Sequence, residues 1–164
     1  MRFVHFNEKD IKKGKLFPGL VFSSKDQLRE AITWYAILHR KPLWIATNDK
    51  KRFSVKCGYP CNFAVWASQD SKLPPGDFCI KTVRRHHKGC PDEPVKLCGS
   101  TFLAKVMEDK IRLLPDITLK QIQVFVDELF HIKIGLFIAR RTRLLAKQKI
   151  EGDHRDQFKM CFKM

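Results

Sequence analysis

Residues 50–61 read KKRFSVKCGYPC, and residues 84–90 read RRHHKGC. In the first stretch Phe53, Val55 and Cys57 alternate with polar residues, the period of a half-buried strand. Gly58 and Pro60 then mark a turn. A turn between Cys57 and Cys61 lets both thiols aim at one point, as tetrahedral zinc requires. In the second stretch His87 and Cys90 follow another alternating run, FCIKTV, whose Phe78, Ile80 and Thr82 share a face. Thiolate and imidazole are the ligands zinc prefers, and no carboxylate or open position is implied. Cys57, Cys61, His87 and Cys90 therefore predict a closed structural site for one Zn2+, with the adjacent His86 as the alternative ligand. The competing reading is a pair of half-buried packing thiols beside a solvated basic loop. Cys79, Cys98 and Cys161 read as packing or solvent positions, Cys98 being the first that would intrude on the ligand set.

Outward from this core, LWIA, RFSVKC, FAVWAS and FCIKTV read as four short strands, joined by turns at Asn48-Asp49, Gly58-Pro60 and Pro74-Pro75-Gly76. Upstream, Ser24 with Gln27 fits a capping box, and Leu28, Ala31, Ile32 and Tyr35 recur at helical spacing. Downstream, Leu103, Met107, Ile111 and Leu114 form a helical stripe that Pro115 ends. Thr118 with Gln121 is a second capping box ahead of Ile122, Phe125, Val126 and Leu129. A last helical stretch runs from about Gly135 to Lys149, and Gly152 punctuates the chain. The fold class expected is α+β: a small four-stranded antiparallel zinc-bound sheet, preceded by one helix and followed by a tail of about three helices. Four regions follow: a basic N-terminal arm over 1–20, a zinc-binding domain over 21–98, a helical region over 99–150 and a linker stub over 151–164.

The chain has 164 residues, with 32 Lys and Arg against 17 Asp and Glu and a net charge of +15. Such a surface calls for a polyanionic partner. A membrane would need an apolar run of about 20 residues, and none is present. The charged N-terminus lacks the apolar segment of a secretory signal, so six cysteines point to metal rather than to disulfides.

The order FSSKDQLREAITWYAI, NDKKRFSVKCGYPCNFAVWAS, FCIKTVRRHHKGC, STFLAKVMEDKIRLLPDITLKQIQ and ARRTRLLAKQKIEGDHRDQF resembles the N-terminal region of plant MuDR-type, Mutator-like transposases, from Val21 to Phe158. The resemblance implies a zinc-bound sheet similar to the WRKY and glial-cells-missing class, which binds double-stranded DNA, with ligands at Cys57, Cys61, His87 or His86, and Cys90. One departure stands out: the family usually has one residue between His and Cys, and His87 and Cys90 have two between them. The resemblance further implies recognition of element terminal repeats, nuclear residence, and an RNase H-like catalytic domain that this stretch of sequence does not contain.

The DNA contacts expected are Arg40, Lys41, Lys50, Lys51 and Arg52, flanking a short strand in which Trp44 is core or groove wall before it is a base reader. A solvated strand face is the plainer reading of this cluster. Arg140, Arg141 and Arg143 lie on the last helix, in a helix-turn-helix outline or on the exposed side of a three-helix packing unit. Catalysis by this chain is not expected: Asp109, Asp116, Asp127 and Glu128 fall on helices or a turn with no acidic strand positions to join them. The alternative function is that of a transposase-derived transcription regulator or protein-interaction module.

Overall fold

The computed structural model describes residues 1–161. The chain forms two compact units, Met1–Leu97 and a second beginning at Cys98. The class is α+β, and the first unit is a sheet with a helix on one face.

Its strands are β1 (Val4–His5), β2 (Leu20–Phe22), β3 (Trp44–Asn48), β4 (Arg52–Lys56), β5 (Ala64–Ser68) and β6 (Phe78–Arg84), in the order β1-β2-β6-β5-β4-β3. The antiparallel quartet β3 to β6 corresponds to the four strands read from sequence. Two short strands extend it to six: β2 pairs antiparallel with β6, and β1 pairs parallel with β2. The first twenty residues are therefore not a free arm. They hold β1 and a 3-10 helix, Glu8–Lys13, and pack Phe6, Ile11, Leu16 and Phe17 against the core. Their four apolar side chains gain more from burial than the scattered lysines lose, since each lysine stays at the surface.

Helix α1 (Lys25–His39) starts at Ser24, whose side chain accepts from the Gln27 amide. The return bond goes one residue further back than a standard box, from the Ser23 amide to Gln27 Oε1 at 3.0 Å. Leu28, Ala31, Ile32 and Ala36 then pack on Phe53, Val55, Val65, Ala67, Phe78 and Ile80, one face of the alternating strands. Register shifts at Ala46 in β3 and Lys81 in β6 interrupt that alternation. Strand β3 forms one edge of the sheet and β1 the other.

The second unit contains α2 (Ser100–Leu113), α3 (Leu119–Phe130) and α4 (Leu136–Cys161). Leu103, Met107 and Ile111 are buried as their spacing predicts, whereas Leu114 is 46% exposed at the helix end. Thr118 and Gln121 form the full reciprocal capping box. Small side chains, Ala139, Thr142 and Ala146, bring α4 against its neighbours. Gly152 does not end this helix: Lys149 to Glu108 at 2.6 Å and Asp153 to Arg112 at 3.3 Å brace α4 against α2 on either side of it. The stretch read as a linker stub is thus helical through Cys161, and its end, residues 162–164, lies outside the described residues. Among the described residues no helix is long and apolar enough to cross a membrane.

Candidate metal centre and nucleic-acid interface

Cys57 follows β4 directly, and Cys61 closes the turn with its amide on the Gly58 carbonyl at 3.0 Å. Gly58 is required there by space, because a Cβ would sit 2.6 Å from Pro91 Cγ. Past β6 the chain folds back through Gly89, whose φ of +62° is the left-handed region open to glycine. Four ligand atoms converge as a result: those of Cys57, Cys61, His87 and Cys90 all lie within 4.8 Å of one another. Cys61 Sγ and Cys90 Sγ are each 3.4 and 3.3 Å from His87 Nδ1, and 3.6 Å from each other. A tetrahedral zinc with its usual bond lengths has ligand-to-ligand edges of about 3.6 to 3.8 Å. The donor set and its spacing fit that ion.

Of the paired histidines, His87 faces the sulfurs, while His86 is exposed and lines a surface hollow with Pro60, Asn62 and Lys88. The His87 ring stacks on Phe63, centroids 3.9 Å apart, and its Nε2 meets Tyr35 Oη at 3.3 Å. Nδ1 is thereby the nitrogen a metal would take, and the partner on the far nitrogen fixes the ring and its tautomer. Burial, then Lys41 and His39, bring His87 down to about 4, so it is the neutral imidazole a metal needs. Burial and then the three thiols push Tyr35 up to about 12, which keeps the phenol protonated. Burial raises the Cys61 thiol, but amides of Phe63 and Lys88, with Cys90 and Cys57, outweigh it and lower the group overall. Cys57 goes the other way, up to about 12, from burial and then from Cys61 and Cys90. The three thiols would hold a cation as thiolates, which would remove that mutual conflict.

Lys41 stands in an unexpected place. Half-buried, it sets Nζ 3.4 Å from Cys90 Sγ, at the metal cluster rather than in solvent. Three thiolates and one imidazole around a zinc would carry a net negative charge, which this ammonium is placed to offset. Neither Tyr35 nor Lys41 was assigned to the centre from sequence. Tyr35 reads as one more position of the α1 stripe, and its partner is 52 residues away.

The remaining basic positions divide between the two ends of β3. Arg40, the exposed left-handed cap of α1, lies at the metal end. Lys50, Lys51 and Arg52 are exposed at the far turn, where Asp49 accepts from the Lys51 and Arg52 amides and from Arg52 Nε. Trp44 is not core: it is 43% exposed on the edge strand. In the second unit Arg140 and Arg141 are exposed on α4, while Arg143 turns inward and donates to the Ile117 carbonyl at 3.3 Å. Cys79 is buried in β6 and Cys98 is buried with its thiol pushed up to about 12, and neither joins the ligand set. The acids Asp109, Asp127 and Glu128 lie on α2 and α3, and Asp116 precedes α3.

Residues 14–80 match the family model of MuDR family transposases, a match that includes Cys57 and Cys61 and stops short of His87. No curated protein matches the chain. A solved structure described as "Crystal structure of AFT2 in complex with DNA" is 18% identical over 66% of this chain and 88% of that chain, with a TM-score of 0.33, too slight a likeness to carry an argument. Over residues 14–80, then, the chain is similar to the DNA-binding domain of MuDR family transposases.

Proposed function

We propose that the chain binds double-stranded DNA as the N-terminal module of a MuDR-type transposase, held in shape by one structural Zn2+ on Cys57, Cys61, His87 and Cys90. The observation that carries this reading is the position of the four-ligand cluster at the root of β3, an exposed edge strand with cations at both ends. A five-residue strand is about 17 Å long. That length spans a major groove about 12 Å wide, so Arg40 at one end and Lys50, Lys51 and Arg52 at the other reach phosphates on either wall. Trp44, Thr47 and the bulge at Ala46 then face the groove between them. Zinc supplies rigidity at the root, and the phosphate contacts supply most of the affinity. Arg140 and Arg141 on α4 offer a second cationic surface. Recognition of element terminal repeats and residence in the nucleus follow from the same reading.

The test is duplex binding by the zinc-loaded chain across a salt series. Affinity should fall with a log-log slope of about 0.9 per phosphate neutralised, and chelation should abolish binding by releasing the turn that the metal fixes. Binding that persists unchanged after the metal is stripped would sink the zinc-dependent reading.

A second reading is favoured by one observation. Val124, Leu129, Phe137 and Leu144 on α3 and α4 are each more than half exposed, Phe137 at 72%. Scattered apolar residues are ordinary, but Phe137 and Leu144 share one side of α4 at a spacing of two turns. A protein-interaction role for this unit would appear as a partner lost on Phe137→Glu with DNA affinity retained.

A further inference from the structure

The sheet face opposite α1 has a composition unlike an ordinary solvated surface. Strand register arranges it in lateral rows. Trp44 pairs with Lys56, Lys56 with Ala64, and Ala64 with Arg84. The next row is Thr47, Ser54, Trp66 and Thr82, and beyond it Arg52 sits opposite Ser68. Lys56 and Arg84 are exposed and flank the small, buried side chain of Ala64. The Arg84 guanidinium is held over the Trp66 ring at 5.1 Å, so it is presented in place instead of trailing into solvent. Thr47, Arg52, Ser54, Trp66, Ser68 and Lys81 line a hollow of about 290 Å³ beside that pair. At its floor Ser54 is 3% exposed, and its hydroxyl has no hydrogen-bond partner. The hydroxyls within reach of a ligand from outside are those of Thr47 and Ser68, half-buried at the rim, and of the exposed Thr82 beside them. The two other cations of this face are already engaged, Lys81 by Asp70 and Arg52 at the tip assigned above to the β3 edge, where Asp49 holds it, so Lys56 and Arg84 are the pair left to this face.

We infer that this open face is a second backbone site for duplex DNA, in which Lys56 and Arg84 take a phosphate over Ala64 while the hydroxyl row beside them receives the adjoining sugar-phosphate. The inference rests on the DNA-binding reading above and adds to it a surface distinct from the β3 edge. The two surfaces adjoin through Trp44, which belongs to the edge strand and to the first row of the open face. Strands are about 4.8 Å apart, so Lys56 and Arg84, two strands apart, have backbones about 10 Å from each other. Both side chains are long enough to close on one phosphate oxygen pair from either side.

The test uses the full zinc-loaded chain and a double variant, Lys56→Gln with Arg84→Gln, against Lys72→Gln with Lys96→Gln as a control that removes equal charge elsewhere on the first unit. Zinc content and circular dichroism establish that each variant is folded. Duplex affinity is measured from 50 to 200 mM salt, on two unrelated sequences. The expected result is a salt slope shallower by about 0.9 for one shared phosphate or 1.8 for two, with the same proportional loss on both sequences and no such change in the control. Slopes equal to the control's, with the wild type binding duplex normally, would overturn the open-face site and leave the DNA-binding reading intact. A wild-type chain that binds no duplex at all would overturn both.

Discussion

Lys41 Nζ lies 3.4 Å from Cys90 Sγ, joining the segment that leads into β3 to the last ligand of the metal cluster. One side chain thus couples the charge of the centre to the placement of the edge strand. Partners of metal ligands are typically worth 10- to 100-fold in metal affinity. Lys41→Met is expected to weaken zinc binding by about that factor, and Lys41→Arg to recover most of it, as read by competition with a chelator of known affinity. Equal zinc affinity in wild type and Lys41→Met would mean that the ammonium is only a neighbour.

The histidines are separable by substitution. His87→Ala should lose the bound metal, whereas His86→Ala should retain about one zinc per chain by elemental analysis, since His86 stays outside the cluster. Tyr35→Phe removes only the contact on His87 Nε2 and should lower zinc affinity about tenfold without changing the stoichiometry.

Acid acts on the metal-free chain in a defined window. His87 sits at about 4 in the fold, first because of burial, against 6.5 for a free histidine. Between those values the unfolded chain binds a proton that the folded chain refuses. The stability difference between wild type and His87→Gln should therefore shift against the wild type as pH falls from about 6.5 to about 4, and stay constant above that range. Urea midpoints of the two apo proteins at pH 7.5, 5.5 and 4.5 measure it. A difference independent of pH contradicts the burial of a neutral His87.

The capping box of α3 offers a check on the second unit. Thr118→Ala leaves the Gln121 amide without its partner and should cost about 0.5 to 2 kcal/mol in thermal or urea unfolding of that unit. Zinc content should be untouched. Thr118→Ser, which keeps the acceptor, should restore most of the loss.

The elements legible in the sequence were those whose signal is local. Period-two runs gave β3 to β6, helical spacing gave α1 and α2, and the Thr118 and Gln121 pair gave the start of α3. Strands β1 and β2 hold two and three residues, too few to display alternation, and they exist because β6 and the core supply partners from far along the chain. Helix α4 passes through Gly152 because ion pairs to α2 offset a helix penalty of about 1 kcal/mol, and those pairs span 41 residues. The ligand spacing was visible in the sequence while the choice between His86 and His87 was not, since it depends on which ring finds Phe63 and Tyr35. The basic cluster read as one DNA-facing set splits in three: Arg40 at the root of β3, Lys41 at the metal, and Lys50 to Arg52 at the tip.

The two margins of the sheet are unequal. β1 is a two-residue strand, too short to template another chain, while β3 runs for five residues with its outer backbone groups unclaimed by any strand of the first unit. A margin left open for a groove is open equally to a second copy of the same strand, the usual start of unwanted assembly. Lys50, Lys51 and Arg52 at the tip and Arg40 at the root meet their own likeness in any such encounter and repel it. The charges that would draw in a polyanion are thus also the guard that keeps the protein from adhering to itself, and salt weakens both roles together.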